Sequence, residues 1–500
     1  MSIKLEINPS STSLDLLGPP DASSAYSLSG HISLSLTSSQ SLFERRRAIR
    51  ILLRSLIITF EGQAELVTQE AGYSAIRLCT ISKELVSKTA VEFSNEGHED
   101  GEGPCTWHVM FDLPIPGWLP ASDLYGDCRQ GFSGTQYNLF ATARFTNGET
   151  FGPSWVSTLC PPFFPRNNVL HAERRRIMLN RFALPSHSPT FYAISPTSGL
   201  PRPEDNPHPV PADIISKVEL LASVPESISL DQEKFSFTLN IRTSSLPESQ
   251  ATKLRVSQFS LELEQVDQYA STAGAYAARH PVPSEKNQPP NKSLREAHPI
   301  HSLYDVGLLA SPHPFTLDDA HSLLPGHQKV DISLSTADHV YKGAEGMHPA
   351  RWFTMETQVP FTRSLLRHKG ALDWMGTPRV RETSQGPFFS VKHSLRVVVT
   401  LSYDDGENNG KPSPTSFLAF TLPLNFVRLR GMSRACSPQP PSPVPSSDAP
   451  ALPTTMPSPQ PYCVPELPAY SQLFYSNGDV RHDDSIPLPL YTPSPDAIPA

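Results

Sequence analysis

Two short segments near the C-terminus hold residue types that can do specific chemistry: Leu467-Pro468-Ala469-Tyr470 and Leu488-Pro489-Leu490-Tyr491. Both read LPxY, a variant of PPxY, and the chemistry is recognition. Proline holds an extended rod with little entropy left to lose, and the tyrosine ring fills an aromatic-lined groove such as that of a WW domain. Tyrosine and proline also meet by chance where proline is abundant, and 17 of the 53 prolines fall in the last 65 residues. Two copies, each with a further proline just upstream (Pro465 and Pro487), weigh against coincidence.

Around these motifs, serine or threonine precedes proline at Ser437, Ser442, Ser458, Thr492 and Ser494. A phosphate at any of them adds nearly two negative charges. Thr492 adjoins Tyr491 and has the most direct consequence for docking. Such pairs also arise from composition alone.

Two arginine clusters offer a different chemistry: Arg45, Arg46 and Arg47 with Arg50 and Arg54, and Arg174, Arg175 and Arg176 with Arg181. They suit acidic lipid headgroups or a phosphorylated or acidic cargo peptide. Ile49, Leu52, Leu53 and Leu56 have helical spacing, which allows a basic amphipathic helix. The competing reading is an edge strand with solvated arginines. His298, His301, His313, His321 and His327 cluster in a polar stretch, but a metal needs ligands held at fixed angles. No cofactor or metal site is expected. Gly131-Phe132-Ser133-Gly134 is one residue short of a nucleophile turn. With no catalytic constellation, the chain is predicted not to be an enzyme.

The elements that must position these residues are strands. Tyr26, Leu28, Ile32, Leu34 and Leu36 alternate with polar residues, with Gly30 as a break. Leu56–Gly62 predicts a strand ended by its glycine, and 105–113 one stopped by Pro114; 137–145 adds a fourth. After prolines 196–211 the pattern resumes at 217–224, 235–241, 254–266, 330–334, 352–361, 389–403 and 417–429. The fold class is all-β: a sandwich over 1–165, a proline-rich connector over 166–212, and a second sandwich over 213–430. A disordered insertion is expected at 267–328, and a disordered proline-rich tail at 431–500. No apolar run is long enough to span a membrane, and the first residues lack the apolar core of a secretory signal. The six cysteines form neither a disulfide framework nor a zinc module, which predicts a reducing, cytoplasmic compartment. A net charge of −8 argues against nucleic acid as a partner.

Several of these strands resemble a known family. Ser29-Gly30-His31-Ile32-Ser33-Leu34, followed by Ile58-Thr59-Phe60-Glu61-Gly62, is similar to the opening of an arrestin N-domain. Phe111–Pro116, the Leu119-Pro120-Ala121-Ser122 turn and Tyr137–Ala141 resemble the next arrestin core strands. Val391–Val397 with His393, and Leu422-Pro423-Leu424, resemble the strand and the end of an arrestin C-domain. The resemblance spans about residues 1–430 and points to the fungal α-arrestins. It implies two immunoglobulin-like sandwiches that recognise an integral membrane transporter or receptor. It also implies LPxY motifs that recruit a WW-domain HECT-type ubiquitin ligase, promoting ubiquitination and endocytosis or sorting. Membrane association would be peripheral and transient, at the plasma membrane or endosomes. The alternative is an arrestin-fold trafficking scaffold of the retromer-subunit type, acting without a ligase.

Overall fold

A computed structural model describes residues 2–37, 50–68, 72–86, 89–96, 104–126, 133–147, 168–186, 188–195, 210–243, 245–306, 316–327, 330–333, 352–363, 379–404 and 414–429. These residues are mostly strand. Both LPxY motifs, the five Ser/Thr-Pro sites and Arg45, Arg46 and Arg47 lie outside them.

The first half contributes β1 (Ser2–Pro9), β2 (Ser13–Leu17), β3 (Ala25–Thr37), β4 (Arg50–Thr68), β5 (Gly72–Val86) and β6 (Val91–Ser94). It continues with β7 (Cys105–Pro116), β8 (Asp123–Tyr125), β9 (Ser133–Asn147), β10 (Asn168–His171) and β11 (Arg175–Phe182). One sheet runs β1-β3-β7; the other runs β2-β11-β9-β4-β5, with β6, β8 and β10 attached. Alternation explains the layers. Leu28, Ile32, Leu34 and Leu36 of β3 face Phe60, Leu66, Leu139 and Ile177 in one apolar core. Each such burial contributes about 1.5–3 kcal/mol.

The second half contributes β12 (Pro189–Ile194), β13 (Glu219–Pro225), β14 (Ile228–Ser229), β15 (Lys234–Arg242) and β16 (Leu254–Ala270). Then come β17 (Thr316–Ser322), β18 (Val330–Ser333), β19 (Phe353–Pro360), β20 (Ser384–Gln385), β21 (Phe389–Tyr403), β22 (Thr415–Leu424) and β23 (Phe426–Val427). The sheet β12-β13-β15-β19 packs over a six-stranded sheet centred on β16 and β21, around Phe237, Phe259, Leu263 and Val397. β14 and β23 form a short parallel pair. Both sandwiches lie in one compact unit, Met1–Met432. Among the described residues no helix is long and apolar enough to cross a membrane.

Several local expectations are corrected. Gly30 does not break β3. It pairs with Pro9 and Phe111, and a Cβ there would sit 2.5 Å from the Asn8 carbonyl oxygen, so glycine permits the approach of β1. Gly62 does not end β4, which continues to Thr68. The missing side chain makes room for the Tyr137 ring, 2.5 Å from where a Cβ would stand. Pro114 does not stop β7, which runs to Pro116, because β7 is an edge strand and an edge tolerates a lost N–H donor. Leu52, Leu53 and Leu56 sit on strand β4, not on a helix, paired to β9.

The expected connector 166–212 also differs. β10 and β11 join the first sandwich and β12 the second, since each pairs along its length with a neighbour there. The expected disordered insertion is ordered where described: 267–270 complete β16, β17 pairs with it, and 271–306 lies against the first sandwich. A polar composition suggests solvent, yet the backbone groups of this stretch bond to buried side chains of the sheet.

Candidate functional site

The basic residues can be placed from the register. Arg50 begins β4 and donates to Glu96 at 2.6 Å. Arg174 pairs with Glu296, Arg175 donates to the Ile7 carbonyl at 3.2 Å, and Arg176 donates to Gln136 at 3.5 Å. Burial, with Arg174 beside it, lowers the pKa of Arg176. Arg175 lies level with Leu139 and hence with Phe60, ten residues along β4 from Arg50. At about 3.3 Å per residue Arg50 and Arg175 are roughly 33 Å apart along the sheet, so the sheet does not bring these two arginines together. Arg181 is engaged with the Gly18, Gly117 and Leu119 carbonyls at 2.7–2.8 Å.

The turn residues have packing roles. Tyr137 is fully buried and donates its hydroxyl to the Pro120 carbonyl at 2.7 Å, and the Ser122 hydroxyl accepts from the Leu179 amide at 2.9 Å. Together these two bonds hold the Leu119–Ser122 turn between β9 and β11. Ser133 begins β9, and its hydroxyl meets the Val67 amide and carbonyl. His298 and His301 share one neighbourhood, the first with its amide on the Glu65 carboxylate and the second against the ring of Tyr73, whose hydroxyl donates to Glu65; His321 lies elsewhere, beside Asp267 and Asp319. The side chains of His313 and His327 lie outside the described residues.

A charged cluster with no signature in the sequence lies between the two sandwiches. Asp123 and Tyr125 come from β8 of the first, and Gln265, Asp267, Arg381 and His393 from the second. The Arg381 guanidinium pairs with Asp123 and lies 3.8 Å over the Tyr125 ring, which stacks on Phe389 at 4.2 Å. Gln265 donates to Asp267 at 2.9 Å, while its carbonyl oxygen accepts from the Arg381 amide at 3.0 Å. The same oxygen stands 3.3 Å from His393 Nε2, so that nitrogen carries the proton, and the Thr383 hydroxyl donates to Nδ1 at 2.8 Å. Burial lowers the His393 pKa to about 3 and keeps the ring neutral. Burial raises the Asp267 pKa to about 6, against the pull of Arg381 and the Gln265 bond; Asp123 and Asp319 add to the rise.

This cluster is electrostatic in character and links β8 of the first sandwich to the second through the Asp123–Arg381 pair. Tyr269, Phe388 and Phe389 of the second half complete the first core beside it. No family model matches the chain, and no curated protein matches it.

Proposed function

We propose that this chain is an arrestin-like adaptor: its sandwiches recognise an integral membrane transporter or receptor, and its LPxY motifs recruit a WW-domain HECT-type ubiquitin ligase. The observation that carries the reading is the pair Leu467–Tyr470 and Leu488–Tyr491. The all-β body of two sandwiches supports it, as do the arrestin-like strand motifs. Mechanism here is proximity. Tethering raises the concentration of ligase at cargo lysines, and no bond is made or broken by this chain. The chain would work in the cytoplasm, recruited transiently to the plasma membrane or endosomes, with the Ser/Thr-Pro sites able to tune docking.

Tyr470 and Tyr491 are 21 residues apart. A coil of that length would span about 5–6 Å × √n, roughly 25 Å, short enough for neighbouring WW domains to take both motifs. Linking two weak sites raises avidity by about 10²-fold or more. Calorimetry of the full chain against a tandem WW fragment tests this. Tyr470→Ala or Tyr491→Ala alone should weaken binding sharply, and the double change should abolish it. A double variant that binds like wild type leaves the scaffold reading, which requires no ligase.

A further inference from the structure

The outer face of β4 and β5 carries four polar side chains that are almost entirely enclosed. Glu61, Gln63, Glu65 and Arg77 are each 1–2% exposed. They alternate with Phe60, Ala64, Leu66 and Leu78 of the core, so they belong to the opposite face of the sheet. What encloses them is the chain's own segment 285–298, some 210–230 residues away in sequence.

Most of the bonds run from sheet side chain to segment backbone. Glu61 accepts from the Arg295 amide at 3.0 Å, and Glu65 from the His298 amide at 2.8 Å. Gln63 donates to the Glu296 carbonyl at 2.6 Å. Arg77 donates to the carbonyls of Asn287, Lys292 (3.2 Å) and Ser293 (2.6 Å). The Gln288 amide then binds both the N–H and the C=O of Arg77 on the edge strand β5, at 2.7 and 2.8 Å. Besides Gln288, side-chain reading falls on three consecutive residues. Leu294 is buried at 6% exposure, Arg295 pairs with Glu61 at 3.6 Å and lies over the Phe140 ring, and Glu296 pairs with Arg174.

This is the composition of a recognition surface rather than of a core. Stability alone is served as well or better by apolar residues than by buried ion pairs. A polar cover also leaves little bare apolar surface when it separates, because the carboxylates and guanidinium it uncovers are hydrated by water. The preceding stretch is different: Tyr276, Ala277 and Val282 pack on the first core, and His280 stacks on Trp118 at 5.5 Å. The segment is thus anchored apolar at one end and held polar over the sheet.

We propose that this sheet face is a peptide-binding surface, occupied in cis by residues 285–298. In trans it takes a peptide that follows the same turn-rich path, bearing an apolar, a basic and an acidic residue in succession, the pattern of Leu294-Arg295-Glu296. Glu61, Glu65, Gln63 and Arg77 bind main chain and accept any sequence with the right path, while Arg174, Phe140 and the burial of the Leu294 side chain select. The surface is remote from the LPxY motifs in sequence, and the proposal stands whether or not they bind a WW domain.

The probe is a fluorescent synthetic peptide of residues 283–301, titrated by anisotropy into the full chain. The wild-type chain should bind it weakly, because the tethered copy competes at high effective concentration. The full-length double variant Leu294→Asp/Arg295→Glu, with its own segment displaced, should bind at least about tenfold more tightly. A peptide carrying Arg295→Glu should not bind. A double variant that melts like wild type yet fails to take up the peptide overturns the proposal. If that variant does not fold, hydrogen exchange in the wild-type chain decides. The Arg295 and His298 amides should exchange at least about tenfold faster than the paired amides of β4. Exchange of both sets only by global unfolding makes the segment a fixed part of the fold and overturns the proposal.

Discussion

Replacing Asp267 by asparagine removes a charge that the fold holds at a cost. Asp267 is 5% exposed, and its pKa rises from 3.8 to about 6, chiefly through burial. Between those values the folded chain binds a proton that the unfolded chain has released. Stability from this group is therefore complete below about pH 4 and lost as pH rises through 6. At 1.36 kcal/mol per pH unit the loss at pH 7 is about 3 kcal/mol. The asparagine side chain has the shape of the protonated acid, and its carbonyl oxygen still accepts from Gln265, while Arg381 keeps Asp123. For a unit of about 430 residues, unfolding entropy near 2.1 cal/mol/K per residue converts about 3 kcal/mol to a Tm change of about 3 °C. The assay is calorimetric melting of wild type and Asp267→Asn from pH 4 to 7.5. The variant should melt about 3 °C higher at pH 7 and level with wild type at pH 4. A variant less stable than wild type at pH 7 would show that the Asp267 carboxylate is stabilised by Arg381 more than it is penalised by burial, and would refute the reasoning.

His393 should produce the opposite slope: neutral when folded, with its pKa lowered to about 3, it costs stability as pH falls below 6.5 and the unfolded ring takes up a proton. His393→Asn should flatten the Tm decline between pH 6.5 and 4, whatever offset comes from losing the ring packed 4.4 Å from Phe426. Tyr137→Phe leaves the Pro120 carbonyl without its buried donor and should cost about 1–3 kcal/mol in urea denaturation at unchanged m-value.

Much of the strand content can be read from alternation, because one buried face forces period two. β3 and β21 show it directly, with apolar residues at every second position buried in the two cores. The boundaries are less legible. Gly62 and Pro114 carry stop signals in isolation, but a facing tyrosine ring and an edge position reverse them. Residues 285–298 resist reading for a related reason. Polarity normally means solvent, and only the partner surface, 210–230 residues earlier, shows that the backbone is bonded. A signal does exist in Glu61-Gly62-Gln63-Ala64-Glu65, where charged and amide side chains alternate along a strand whose other face is core. The pairing of Asp123 with Arg381, 258 residues apart, leaves no comparable trace, since long-range ion pairs have no periodicity.

The proposed adaptor role requires this chain to deliver a ligase, and ubiquitin transfer in a purified system measures that delivery. The full chain, a HECT-type ligase with tandem WW domains, its activating and conjugating enzymes and ubiquitin are combined, and modification of this chain is followed by mass spectrometry. Wild type should be modified within minutes, and Tyr470→Ala/Tyr491→Ala, with an unchanged melting curve, should stay unmodified. Equal modification of both chains would rule out ligase recruitment through the LPxY motifs.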